Sequence, residues 1–157
     1  MIKKFLKYFK VKEIDVLIYV MKSNAVVDFS TLDFAIESEQ VSKNKKRFFI
    51  QVEGKVIHES FLFERLFVLR LIDKKGPTIG DCRTVDAFKG KSIYPYVINH
   101  IAVEEIGKHN REEVFIIVSP NNLSSIKGIE KAGFKIHTKV TAKRFLFFHF
   151  NTNKSYS

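Results

Sequence analysis

Tryptophan is absent from this sequence of 157 residues, cysteine occurs once, and acidic side chains are outnumbered 17 to 27 by lysine and arginine. Each scarcity excludes something. With Cys82 alone the chain can close no internal disulfide, which suits a reducing, cytoplasmic setting. No second cysteine or histidine stands at ligand spacing, so no metal site is expected. No apolar run approaches the roughly 20 residues that a spanning helix needs. Internal repeats and low-complexity linkers are missing too, which predicts one domain over residues 1–157.

What is present points to a globular chain, 45% hydrophobic and 28% charged. Sixteen phenylalanines predict a core or cleft packed with flat rings. A net charge of +10 suits an anionic partner: nucleic acid, a membrane surface or a phosphorylated ligand. The opening stretch "MIKKFLKYFKVK" (1–12) sets Ile2, Phe5, Leu6 and Phe9 at helical spacing among lysines. Such a helix either docks its stripe on the domain or lies on an anionic bilayer. It lacks the long apolar run and small-residue cleavage site of a secretory signal.

Along the chain the periodicities alternate between strand and helix. "DVLIYVM" (15–21) reads as a strand, and Ser30 to Lys45 as partly helical with Phe34, Ile36 and Val41 inward. "RFFIQV" and "KVIHESFLF" flank Glu53-Gly54, a hairpin signature. "RLFVLRLI" (65–72) reads as a strand closed by the turn Asp73-Lys74-Lys75-Gly76-Pro77. "TIGDCRTV" (78–85) is the next strand, and a basic loop, Lys89-Gly90-Lys91-Ser92, leads into an apolar helix. "EVFIIV" (113–118) is a strand apolar enough to be buried on both faces. A helix from Asn122 to Ala132 ends at Gly133, and "FKI" and "TAKRFLFFHF" close the domain as strands before a frayed tail, 151–157.

The basic loop is the first candidate site. A strand–loop–helix turn aims several backbone N–H groups at one spot, where the helix dipole also favours negative charge. Gly90 permits close approach, Lys89 and Lys91 add charge at the rim, and Ser92 offers a hydroxyl cap. Pro95 falls in the first turn, where its missing N–H costs nothing. Such a cradle suits a pyrophosphate.

With the later stretch "SPNNLSSIKGIEKAGFKI" (119–136), the pattern resembles the GNAT superfamily of acyl-CoA N-acyltransferases. There a loop of the form Arg/Gln-x-x-Gly-x-Gly/Ala follows a central strand, and Asn-x-x-Ala/Ser opens a helix that ends in Gly-Phe. This chain has Asn122, Ser125 and Gly133-Phe134 at that spacing, and Ile79 to Phe134 carries the resemblance. The resemblance implies a mixed α/β fold with a central β-sheet splayed at its middle and flanked by helices. It also implies acetyl-CoA as donor, held by Lys89, Gly90, Lys91, Ser92, Ile93 and Tyr94, by Asn122 and Ser125, and along the strand Cys82, Arg83, Thr84 and Val85. Departures are equally definite. Lys89 stands where the family has Arg or Gln, Ser92 and Tyr94 where it has small residues, and Ile129 where many members carry a tyrosine that protonates the leaving thiolate.

Amide formation from a thioester needs a base for the protonated amine and an N–H donor for the carbonyl oxygen, the latter available along the strand after Asp81. His58 has the better intrinsic pKa for a base, with Glu59 and Asp81 as alternatives. His58 and Glu59 are adjacent in a strand, so only one of them can face a given side. A structural, hydrogen-bonded role for His58 competes evenly with the catalytic one. The expected activity is acetyl transfer to a small-molecule amine, such as an amino sugar, by a monomer or homodimer. A GNAT-like domain that binds acyl-CoA without turnover is the alternative, and a basic nucleic-acid or membrane-surface module the third. Nucleic acid is not the expected partner, because "AKRFLFFHF" is too apolar to be an exposed stacking face.

Overall fold

In a computed structural model, residues 12–145 and 148–156 are described. Eight strands form one sheet: β1 (Lys12–Lys22), β2 (Glu37–Ser42), β3 (Lys45–Val52), β4 (Lys55–Phe63), β5 (Thr78–Thr84), β6 (Glu113–Val118), β7 (Lys135–Phe145) and β8 (Phe148–Tyr156). Their spatial order is β2-β3-β4-β5-β6-β1-β7-β8. Two helices, α1 (Ile93–His109) and α2 (Leu123–Lys131), connect β5 to β6 and β6 to β7. Neighbouring strands run antiparallel except β5 and β6, which are parallel. This is the mixed, helix-flanked sheet that the sequence implied.

The central pair decides the shape of the molecule. β5 and β6 pair only at Thr78↔Phe115 and Ile79↔Ile116, after which the ladder stops. On its other side β5 carries a bulge: Phe61 faces Gly80 and Glu59 faces Arg83, so Asp81 and Cys82 together oppose one residue of β4. Asp81 takes a φ of 51° to make this possible. The sheet is therefore splayed, with the bulge beside the opening.

Each face of the sheet has its own cover. Ile93, Val97, Ile98 and Ile101 of α1 pack on Phe48, Ile50, Leu62, Ile79 and Ile116. Asn99 fixes α1 in place by donating to the carbonyls of Val27 and Ala132 at 2.7 and 2.9 Å. Opposite, Ile18, Val20, Phe115 and Val140 lie under Leu69 and Ile72. β1 and β6 thus bury both faces, as their continuous apolar runs require.

Three expectations need correction. Residues 67–72 form a 3₁₀ helix, not a strand. Its buried residues, Leu69 and Ile72, are three apart, the repeat of that helix, whereas Phe67 is exposed. The segment from Ser30 is extended and contains β2; Leu32, Phe34 and Ile36 alternate inward at period two, and Val41 is 53% exposed on the edge strand. The tail is not frayed either. Tyr156 pairs with Thr138 and Asn153 with Thr141, so β8 extends through most of 151–157. The amphipathic segment 1–12 lies outside the described residues except for Lys12, where β1 begins. No helix among the described residues is long and apolar enough to cross a membrane.

Candidate functional site

A cleft of about 920 Å³ opens where β5 leaves β6, roofed by the starts of α1 and α2. Its walls gather nearly all of the proposed coenzyme ligands. Cys82, Arg83, Thr84 and Val85 come from the end of β5 and just beyond it, Lys89, Gly90 and Ser92 from the loop, Ile93 and Tyr94 from α1, and Asn122 and Ser125 from α2. Lys91 stands apart: its ammonium lies over the Phe88 ring, 4.8 Å from the centroid.

The loop is open at its glycine. Gly90 sits at φ 77°, and a Cβ there would meet no protein atom within 4 Å, so its α-carbon faces open space. Phe88 and Lys89 donate their amides to Val85 and Asp86, whereas Ile93 and Tyr94 begin a helix and have no intrahelical acceptor. Ser92 does not cap α1 with its hydroxyl as expected. Its φ of 61° places it in the left-handed region, and its Oγ instead accepts from Lys131 Nζ at 2.6 Å. That bond ties α2 to the start of α1.

Charge is arranged differently from the expectation. Lys89 is paired with Asp86 at 2.6 Å, and this ammonium holds the Asp86 carboxyl below its ordinary range. The further basic residues that line the cleft are Lys127 and Lys131, four apart on one face of α2, and Arg83 of β5. Sequence reasoning missed these two lysines, although their helical spacing after Asn122 was legible.

Tyr94 occupies the inner part of the cleft. Its ring lies against Gly128, where a Cβ would come within 2.6 Å of it. Burial raises the phenol pKa. Burial likewise pushes the Cys82 thiol up to about 12, which leaves it an inert wall group. Asn122 caps α2 by accepting the Ser125 amide at 3.2 Å, and Ile129 is wholly buried in the core.

The three base candidates are dispersed. His58 is 1% exposed; its Nδ1 bonds the Thr84 hydroxyl and its Nε2 the Ser60 hydroxyl, each at 2.8 Å. Burial pushes its pKa down to about 4, so the ring is neutral at pH 7 with neither nitrogen offered to the cleft. Glu59 points to the other face, where Arg47 holds it at 2.9 Å. Asp81 stands at the bulge, 66% exposed and 3.5 Å from Lys45. Among the described residues no group of three or more His, Cys, Asp or Glu side chains could hold a metal ion.

Comparison with solved structures finds a similar fold elsewhere. The chain is similar to an acetyltransferase of the GNAT family from Colwellia psychrerythraea, with a TM-score of 0.57 over 87% of this chain. The fold is GNAT-like. Sequence identity is 15%, and the match spans 57% of that longer protein. No protein-family model and no curated protein matches the sequence. Within the GNAT-like fold, the cleft beside the splayed pair is built from the two motifs that carry the resemblance.

Proposed function

We propose that the chain is an N-acetyltransferase, transferring the acetyl group of acetyl-CoA to the amine of a small molecule by direct attack in a ternary complex. One observation carries this reading: the opening between β5 and β6 lies beside a bulge and continues into a cleft lined by the Gly90 loop and the start of α1, whose first amides have no intrahelical acceptor. Anionic phosphates fit the amides of Gly90 to Tyr94, with Lys127 and Lys131 adding charge. The pantetheine arm fits alongside β5, near Asn122 and Ser125. An N–H next to the bulge would donate to the thioester oxygen as it gathers charge in the transition state.

His58 in this reading is a positioning residue that ties Ser60 and Thr84 together across β4 and β5. Proton removal falls to Asp81, directly or through water, since it stands at the bulge with its carboxylate exposed. The reaction belongs to the cytoplasm in this reading, and the partner is a small amine rather than nucleic acid.

Tyr94 and Ile129 support a second reading, a domain that binds acyl-CoA with little turnover, because Tyr94 fills space at the inner cleft and Ile129 can donate no proton. Calorimetry with acetyl-CoA, followed by thiol release over a panel of amines, separates the two. Binding with thiol release on at least one amine supports catalysis. Binding with none leaves the second reading, and absence of binding removes both.

A further inference from the structure

On the sheet face opposite the helices, a lysine is held beside the β5 bulge. Lys45 is the register partner of Phe63, and its Nζ lies 4.0 Å from the centroid of the Phe61 ring and 4.9 Å from that of Phe63. The carboxylate of Asp81 is 3.5 Å away. Two ring faces and a carboxylate thus fix one ammonium. Asp81 is a bulge residue just beyond Ile79, where the β5–β6 ladder ends, and its neighbour Cys82 lines the cleft on the helix side. The cleft and the Lys45 ammonium therefore lie on opposite faces of the sheet, with the Asp81–Cys82 bulge of β5 between them.

We infer that Lys45 is the chain's own acetyl acceptor, modified in cis by the acetyl-CoA bound in the cleft. This rests on the reading of the cleft given above. In the reaction Lys45 loses one proton to Asp81 or water, and its lone pair attacks the thioester carbon. The C–S bond breaks, the thiolate takes a proton from solvent, and the amide nitrogen releases its second proton. Ammonium and thioester become amide, free thiol and one proton. Holding both partners on one chain, on either side of the bulge, would make the step intramolecular. The other lysines near the cleft, Lys89, Lys127 and Lys131, surround its phosphate end, and Lys46 is bound to Glu104 on α1 at 3.1 Å. The product loses its charge, and with it the ion pair to Asp81.

The test is peptide mass mapping of the intact chain during incubation with acetyl-CoA, beside calorimetry of the same samples. Lys45 should be acetylated first, at a fractional rate independent of protein concentration and at least about tenfold above that of exposed Lys43. Asp81→Asn should slow the labelling about tenfold or more, and Lys45→Arg should abolish that mark; both should bind acetyl-CoA as the natural chain does. S-acetyl-N-acetylcysteamine, a thioester without the nucleotide, should show no preference for Lys45. The inference is overturned if acetyl-CoA binds but Lys45 reacts no faster than Lys43, if the small thioester shows the same preference, or if the fractional rate rises with protein concentration. Absence of acetyl-CoA binding would overturn the cleft reading and this inference together.

Discussion

At the scale of single residues, His58 and Gly90 make opposite demands on their surroundings. His58 is buried neutral, its pKa pushed down to about 4. In the unfolded chain it takes up a proton near pH 6.5, so between that pH and about 4 the unfolded state binds more protons and stability is lost as the pH is lowered. The loss levels off once the folded ring also protonates, at a total of about 3 kcal/mol at most. Denaturant midpoints measured from pH 7 to 4 should show this slope in the natural chain and a flattened one in His58→Gln. Because His58 touches two hydroxyls rather than the cleft, the variant should affect stability more than acetyl-CoA affinity. Gly90 works through the backbone: at φ 77° a β-branched side chain is strained, and its bulk enters the cleft. Gly90→Val should weaken acetyl-CoA binding about tenfold or more by calorimetry. Lys91→Ala should change it about twofold or less, since that side chain lies on Phe88.

At the scale of elements, α2 sets the geometry of the cleft through two small features. Glycine inside a helix costs roughly 1 kcal/mol against alanine, yet Gly128 gives the Tyr94 ring its place. Gly128→Ala should therefore lower the melting temperature despite its better propensity. Combined with Tyr94→Ala it should cost less than the sum of the two single losses, a coupling that a double-mutant cycle measures. Asn122 caps the same helix, and Asn122→Ala should cost about 1 kcal/mol of stability. A raised KM for acetyl-CoA in that variant would show contact with the coenzyme as well, whereas a stability loss alone would assign it to the cap.

At the scale of the whole molecule, the sheet is continuous from β2 to β8, so its edges matter to its middle. β8 protects one edge of β7, and His149 stacks on Phe67 of the 3₁₀ helix with centroids 4.7 Å apart. Removing residues 148–157 would bare a strand whose other edge pairs with β1. The truncated chain should unfold at lower denaturant and form aggregates through the exposed edge, as light scattering would show. The net charge of +10 acts at this scale too. Affinity for a polyphosphorylated donor should fall as salt rises, because the field of many surface cations is screened.

The sequence alone determined the elements whose signal is local. The Glu53-Gly54 hairpin, the apolar β6, the cap at Asn122 and the stop at Gly133 follow from side-chain alternation and backbone freedom within a few residues. It also determined the two ends of the cleft, since loop amides and a helix cap are built from neighbours in the chain. Tertiary structure alone decided the 3₁₀ turn at 67–72, where burial of Leu69 and Ile72 against Ile18 and Phe115 outweighed strand propensity. It decided that residues 151–156 would be strand, because polar residues hold an edge once β7 offers its free hydrogen-bonding groups. It decided the fate of the ionisable groups as well. His58 meets the Thr84 hydroxyl across β4 and β5, Glu59 meets Arg47 across the β3–β4 hairpin, and Asp81 meets Lys45 from two strands away. A side chain's protonation depends on what surrounds it in space, and residue order does not record that until the sheet has closed.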